Sequence, residues 1–380
     1  GSGVLIGFVD TGIDYQNPIF RNLDGSTRIV GLWDQTIQEG EPPEGMFYGT
    51  EYGEDEINEA LRSDNPLTIV PSRDENSHGT FLASLAAGGV NEENQFIGAA
   101  PDAQIAMVKL KPAKQYLRDF YLIRTDAPCY QENDIMLGIT YLNQLAERLG
   151  LPLVICIALG TNLGSHSANS PLTAILEVYA NIANRAVVIG GGNEANQRHH
   201  YLGQMQDENE TEQVEIRVGE NVRGFCAELW SDALNLLAVS IISPSGEQTY
   251  RFPIRSEETD SYTFVLERTT VTIDYKVFVE RLNAELIFFR FENPTPGIWT
   301  LILESESGLT NAGFHVWLPI SAFLSSETYF LSPNPNITLT IPSYAENVIT
   351  TSNYSDRNNS IYVRSGRGFT RDSGIKPDIA

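Results

Sequence analysis

Residues 4–9 are apolar or glycine without alternation, and the run stops abruptly at Asp10-Thr11-Gly12. Lacking a polar face, this stretch predicts a parallel strand covered on both sides rather than a half-exposed antiparallel one. In open α/β sheets the functional crevice lies just outside the carboxyl ends of the strands, which is where Asp10 falls. An Asp-Thr-Gly after a strand also serves simply as a turn.

Further along, residues 28–33 predict a short strand and residues 54–62 a short helix within an acidic, loop-like stretch over 40–72. Phe81, Leu82, Leu85 and Ala86 recur at helical spacing, so His78 falls at a helix start. A strand over 105–110 follows. Ile135, Ile139, Leu142, Leu145, Ala146 and Leu149 then mark one face of a helix over 134–149, stopped by Gly150 and Pro152. Next come a strand over 153–159, a helix over 172–184 and a strand over 186–189 that ends in Gly190-Gly191-Gly192-Asn193. Alternating strands and helices predict a parallel α/β sheet.

From about residue 205 the helical periodicity disappears. Strand-like segments at 213–218, 225–230, 236–242, 262–266, 271–279, 284–291, 298–304 and 312–318 succeed one another, separated by turns such as Ser243-Pro244-Ser245-Gly246. This predicts an all-β sandwich or jelly roll inserted in the α/β chain, with Trp230, Trp299 and Trp317 in its core. Around 338–342 the chain leaves that unit, and 346–351 and 360–363 read as short strands. The expected organisation is an α/β domain over 1–203, the inserted β domain over 204–338 and a return to the first domain over 339–380.

Composition narrows the function. The 380 residues carry 49 acidic and 25 basic side chains, a net charge of −24. Nucleic-acid binding is therefore not expected, because phosphate contacts need lysine and arginine. No apolar run reaches the ~18 residues that span a bilayer. No basic-then-apolar leader opens the chain, so it is expected to begin in a cytosolic protein or after a leader has been removed. Cys129, Cys156 and Cys226 are too few and too scattered for a disulfide framework or a zinc site. Cys156, inside an apolar run, reads as a small core residue.

Taken in order, the motifs resemble those of the subtilisin-like serine proteases, the subtilases, over residues 1–200 and 339–380. Asp10-Thr11-Gly12-Ile13 and His78-Gly79-Thr80 match two members of that family's triad. Ala99-Ala100-Pro101, Leu159-Gly160, Gly190-Gly191-Gly192-Asn193-Glu194 and Lys376-Pro377-Asp378-Ile379-Ala380 are similar to four further landmarks. The resemblance implies a subtilisin-like parallel sheet flanked by helices, and endopeptidase activity on polypeptide substrates. It makes Asp10 the orienting carboxylate, His78 the general base and Asn193 the oxyanion donor. Leu159, Gly160 and Gly191 become substrate-binding positions. No Gly-Thr-Ser and no Gly-x-Ser-x-Gly occurs in the 380 residues. The nucleophile is accordingly expected beyond Ala380, and residues 1–380 alone are expected to lack serine-protease turnover. The long spacing from Asp10 to His78 implies that the acidic stretch between them is an insertion over the cleft.

An inserted β domain between the asparagine and serine motifs is similar to that of the Csp-type spore-germination subtilases of clostridia. That likeness implies a cleaved prodomain, activation of a spore-cortex hydrolase, and an extracytoplasmic or spore-associated location. Some relatives are pseudoproteases, so a catalytically dead scaffold for binding or germinant sensing is the alternative reading. An aspartic protease built on Asp10-Thr11-Gly12 and Asp372-Ser373-Gly374 is disfavoured, because Thr370-Arg371 is no apolar strand end and the N-terminal half is rich in helices. His199-His200, in a polar loop, reads as solvated rather than metal-binding. Asn91-Glu92-Glu93-Asn94 offers oxygen ligands for calcium, but its pattern differs from the family's and no metal or cofactor is assigned.

Overall fold

The computed structural model describes residues 1–205, 211–232, 235–256, 258–279, 282–306 and 312–380. The N-terminal half contains β1 (Leu5–Asp10), β2 (Ile29–Asp34), β3 (Thr50–Gly53), α1 (Glu54–Arg62), α2 (His78–Ala87), β4 (Gln104–Lys109), α3 (Gln115–Phe120), α4 (Glu132–Leu149), β5 (Leu153–Ile157), α5 (Pro171–Ala180) and β6 (Arg185–Gly190). Then follow β7 (His200–Met205), β8 (Thr211–Val218), β9 (Gly224–Asp232), β10 (Leu237–Ile242), β11 (Thr259–Thr263), β12 (Thr270–Val279), β13 (Ala284–Glu292), β14 (Gly297–Ser305), β15 (Ala312–Trp317) and β16 (Tyr329–Phe330). Three short strands, β17 (Ile349–Thr351), β18 (Tyr354–Ser355) and β19 (Ser360–Ile361), close the chain.

β1 is central in a seven-stranded sheet of order β17-β6-β5-β1-β4-β2-β3. All of its pairings are parallel except that of β2 with the edge strand β3. Every residue of β1 is buried. On one face Leu5 and Val9 pack with Ile139, Leu142 and Leu145 of α4. On the other, Ile6 and Phe8 pack with Ala83 and Ala87 of α2. Helices on both faces explain why the run carries no polar alternation. The chain leaves β1 toward β2 and β4 on one side and reaches β5 and β6 on the other, so the carboxyl end of β1 is a topological switch point.

β18 pairs with β19 in a small ribbon of its own, and strands β7 to β16 form two antiparallel sheets, β10-β14-β8-β16 and β11-β12-β13-β9-β15-β7. They share one core, in which Val214, Ile216 and Trp299 of the first meet Ile273, Phe289 and Phe291 of the second. The α/β sheet with an inserted β domain expected from the periodicities is what the chain forms, and Trp230, Trp299 and Trp317 are buried as expected.

The differences have local causes. The strand expected at 262–266 lies at Thr259–Thr263, because pairing of Tyr262 with Val271 sets the register and leaves Val265 and Leu266 exposed in the turn beyond. β7 escapes a hydrophobicity pattern because its sequence, His-Tyr-Leu-Gly-Gln-Met, has no clean alternation. The helix expected to run to 184 stops at Ala180 and is capped by Asn181. The acidic stretch over 40–72 builds β3 and α1 at the sheet edge, where Glu39, Glu41, Glu56 and Asp34 line a cleft of about 680 Å³ with Lys109.

Candidate active site

Asp10 ends the central strand with 1% of its surface exposed. Its Oδ1 accepts hydrogen bonds from the Thr11 amide at 2.7 Å and from His78 Nδ1 at 2.7 Å. Oδ2 is buried without a partner among the described residues. A carboxylate aimed at Nδ1 fixes the neutral imidazole as the tautomer that carries its proton there, which leaves the Nε2 lone pair to accept one. The His78 side chain is 40% exposed, so that face of the ring is reachable. The hydrogen bond to Asp10 raises the proton affinity of His78 above its usual value; burial opposes this, and the charges of Asp10 and Asp74 reinforce it.

Two glycines allow the contact. Gly12 adopts φ +124°, a conformation that residues with a β-carbon rarely take. A β-carbon on Gly79 would sit 2.2 Å from the Gly12 carbonyl oxygen, so only glycine lets the start of α2 approach the end of β1 this closely. The Gly79 amide donates to Thr11 Oγ1 at 2.9 Å. Lys109, paired with Asp10 in the sheet register, donates through Nζ to the Arg73 carbonyl at 2.6 Å and to Glu75 at 3.0 Å, tethering the segment that leads into His78.

The other sequence-derived positions line the same edge of the sheet. Leu159 and Gly160 lie just past β5, and Asn193 just past β6. β5 adjoins β1 and β6 lies one strand farther, so these positions follow strands at the same carboxyl edge of the sheet. Asn193 is exposed, while the chain on either side of it is pinned. The Gly191 amide donates to Thr351 O at 2.9 Å and its carbonyl accepts from the Thr340 amide at 3.1 Å, so Gly191 has no spare amide for a ligand. Gly192 O accepts from the Gly366 amide at 2.9 Å. Glu194 is buried and accepts from Ser321 N at 3.1 Å, Ser321 Oγ at 2.8 Å and His199 Nδ1 at 3.1 Å.

The segment at 376–379 joins this edge. The Asp378 amide donates to Thr350 O, Asp378 Oδ2 accepts from the Thr350 amide at 2.7 Å, and Ile379 bridges Thr351 in the parallel sense. The segment thus lies beside β17, the strand next to β6.

Three further residues matter that the motifs did not single out. Thr11 and Asp74 brace the Asp10–His78 contact, and Glu194 ties the Asn193 turn to Ser321. Thr11 and Glu194 stand inside quoted motifs without a role of their own, and Asp74 lies outside them. The reading of His199-His200 as solvated is corrected, because both are buried, at 3% and 1% exposure. His200 Nε2 lies 3.0 Å from His315 Nδ1, and both rings stack with Trp317, against which His166 also stacks at 3.8 Å. Asn91 Oδ1 accepts from the Asn94 amide at 3.0 Å within its own turn. Among the described residues, no group of three or more His, Cys, Asp or Glu converges as a metal site. No described helix is long and apolar enough to cross a membrane.

A model of the subtilase family matches residues 1–261. The chain is similar to the CspB protease of Clostridium perfringens, at 29% identity and a TM-score of 0.86, over 100% of this chain and 76% of that one. Matches to sphericase (20% identity, TM-score 0.32, 51% of this chain and 47% of that one) and to MycP1 from Mycobacterium smegmatis (18% identity, TM-score 0.29, 55% and 43%) are partial.

Proposed function

The chain belongs to the subtilase family, and from that membership we propose that the full-length protein is a serine endopeptidase whose triad is Asp10, His78 and a serine downstream of Ala380. The observation that carries the proposal is the 2.7 Å contact between Asp10 Oδ1 and His78 Nδ1 at the carboxyl end of the central strand. His78 Nε2 takes the serine proton as the hydroxyl oxygen attacks the peptide carbonyl. Asp10 holds the ring and stabilises the imidazolium that forms. Asn193 donates its side-chain amide to the oxyanion of the tetrahedral intermediate. His78 then delivers the proton to the leaving amine, and water completes the cycle by the same route. Leu159 and Gly160 offer main-chain groups to an extended peptide, which binds as an added strand.

Within that class, the likeness to the CspB protease supports a jelly-roll insertion, release from a prodomain, and a spore-associated role in which the substrate is the precursor of a cortex-degrading hydrolase. The test is digestion of an unfolded polypeptide by the full-length protein, with new amino termini counted. Wild type cleaves, and His78→Ala and Asp10→Asn lose roughly 10,000-fold in rate. Absence of cleavage together with absence of a serine after the 376–380 segment would instead identify a pseudoprotease scaffold.

A further inference from the structure

We propose that Asp74 is a positioning residue for this reaction: one carboxylate ties the loop after β1 to the start of α2 and thereby sets the contact between Asp10 and His78. The inference rests on the endopeptidase reading above.

The start of α2 needs outside help. Its N-cap residue, Ser77, sits in the left-handed region and makes no side-chain cap. The first-turn amides would be left without partners. Those of Gly79 and Thr80 are taken up by Thr11 Oγ1 and Asp74 Oδ2. Asp74 Oδ2 accepts the Thr80 amide at 2.9 Å and the Thr80 hydroxyl at 2.7 Å. Asp74 Oδ1 accepts the Ser77 amide at 2.9 Å, the Asn76 amide at 3.3 Å and the Thr11 hydroxyl at 2.8 Å. Thr11 Oγ1 in turn accepts the Gly79 amide, and Thr80 Oγ1 accepts the Asp14 amide at 2.9 Å.

Three of these links, Thr11–Asp74, Gly79–Thr11 and Asp14–Thr80, cross from the loop after β1 to the segment that begins α2. Thr11 adjoins Asp10, and Gly79 adjoins His78, so the catalytic pair is braced through its immediate chain neighbours. A carboxylate here also acts on the imidazole electrostatically. Burial disfavours the charge on Asp74, but hydrogen bonds from Thr80, Thr11 and Ser77 outweigh it and hold the carboxyl below its usual range. The group is therefore an anion at neutral pH, and its charge adds to that of Asp10 in favouring the imidazolium.

Asp74→Asn keeps the shape but removes the charge and turns one acceptor into a donor facing the Thr80 amide. In the full-length protein it is expected to lower kcat by about tenfold to a hundredfold with KM unchanged, because misplacement of about 1 Å costs that much. The acid limb of kcat/KM is expected to move to lower pH, since His78 must be neutral to act and loses a stabilising anion. Thr80→Val removes one tether but keeps the charge, and is expected to lower kcat without moving the limb. A purely structural role would lower the amount of folded enzyme without shifting the pH profile. Unchanged kcat and acid limb in folded Asp74→Asn would overturn the inference while Asp10→Asn stays inactive. Full activity in Asp10→Asn would overturn the endopeptidase reading itself. If Asp74→Asn does not fold, Thr80→Val decides, and unchanged kcat there overturns the positioning role.

Discussion

Adding one methyl group at residue 79 tests the close approach that brings Asp10 and His78, the proposed catalytic pair, together. In Gly79→Ala the new β-carbon would lie 2.2 Å from the Gly12 carbonyl oxygen, 3.1 Å from the Gly12 nitrogen and 3.2 Å from Asp10 Cβ. The worst contact is with backbone, so no side-chain rotation relieves it. Ordinary carbon–oxygen contact requires the two segments to part by about 1 Å, at a cost of about 1–3 kcal/mol in stability. Because the obstructing atoms belong to the Asp10–Gly12 turn and the inserted one to the residue after His78, the parting falls on the 2.7 Å hydrogen bond. Turnover by the full-length enzyme is expected to fall about 100-fold. The proton affinity of His78 should also drop, because the Asp10 hydrogen bond is the main cause of its elevation. Titration of the His78 ring by nuclear magnetic resonance, assigned with His78→Gln, reads that shift directly. Thermal unfolding gives the stability cost. A variant that loses stability yet keeps the wild-type His78 titration and turnover would refute the reasoning.

Two other outcomes follow from the same geometry. Asn193→Ala is expected to cut turnover by about 100- to 1000-fold with little change in KM, since the donor acts on charge that develops only in the transition state; equal losses in kcat and substrate affinity would contradict this. The buried histidines predict acid sensitivity: burial pushes His166 down to about 3 and lowers His200 and His315 as well, so these rings are neutral when folded but bind protons when unfolded. Their contribution is complete above about pH 6.5 and is lost as pH falls from there toward the folded values, at up to about 1.4 kcal/mol per pH unit for each ring. Glu285, which burial raises to about 7, Glu228, which burial also raises, and His78, raised by its hydrogen bond to Asp10, work in the opposite sense. The change in urea-unfolding stability from pH 7 to pH 5 should therefore be more favourable in His166→Phe than in wild type, and an unchanged pH dependence in that variant would be contrary to the assignment.

What the sequence made legible is what depends on neighbours along the chain. β1 is visible because both of its faces are covered, which forces six consecutive buried positions. α1 and the start of α2 fall where the chain pattern and helical periodicity put them. Asp10 closes a strand and His78 opens a helix, and the two could be named together because their motifs, in order, resemble those of the subtilases. Asp74 could not be ranked from sequence, because its importance comes from reaching Thr11 on a distant strand end and Thr80 at once. The same holds for the histidine stack, whose members His166, His200 and His315 come from three separated segments and meet only at Trp317. His199 and His200 look like a polar loop in sequence, yet Glu194 and His315 provide the partners that make their burial tolerable.

The central claim is that Asp10 and His78 activate a serine. The measurement that meets it most directly is covalent labelling of the full-length protein by a fluorophosphonate, with the labelled peptide identified by mass spectrometry. Labelling is expected on a serine that follows the 376–380 segment, and is expected to be abolished or greatly reduced by His78→Ala and by Asp10→Asn. Undiminished labelling of that serine in both variants, or no labelling of the wild type, would contradict the account.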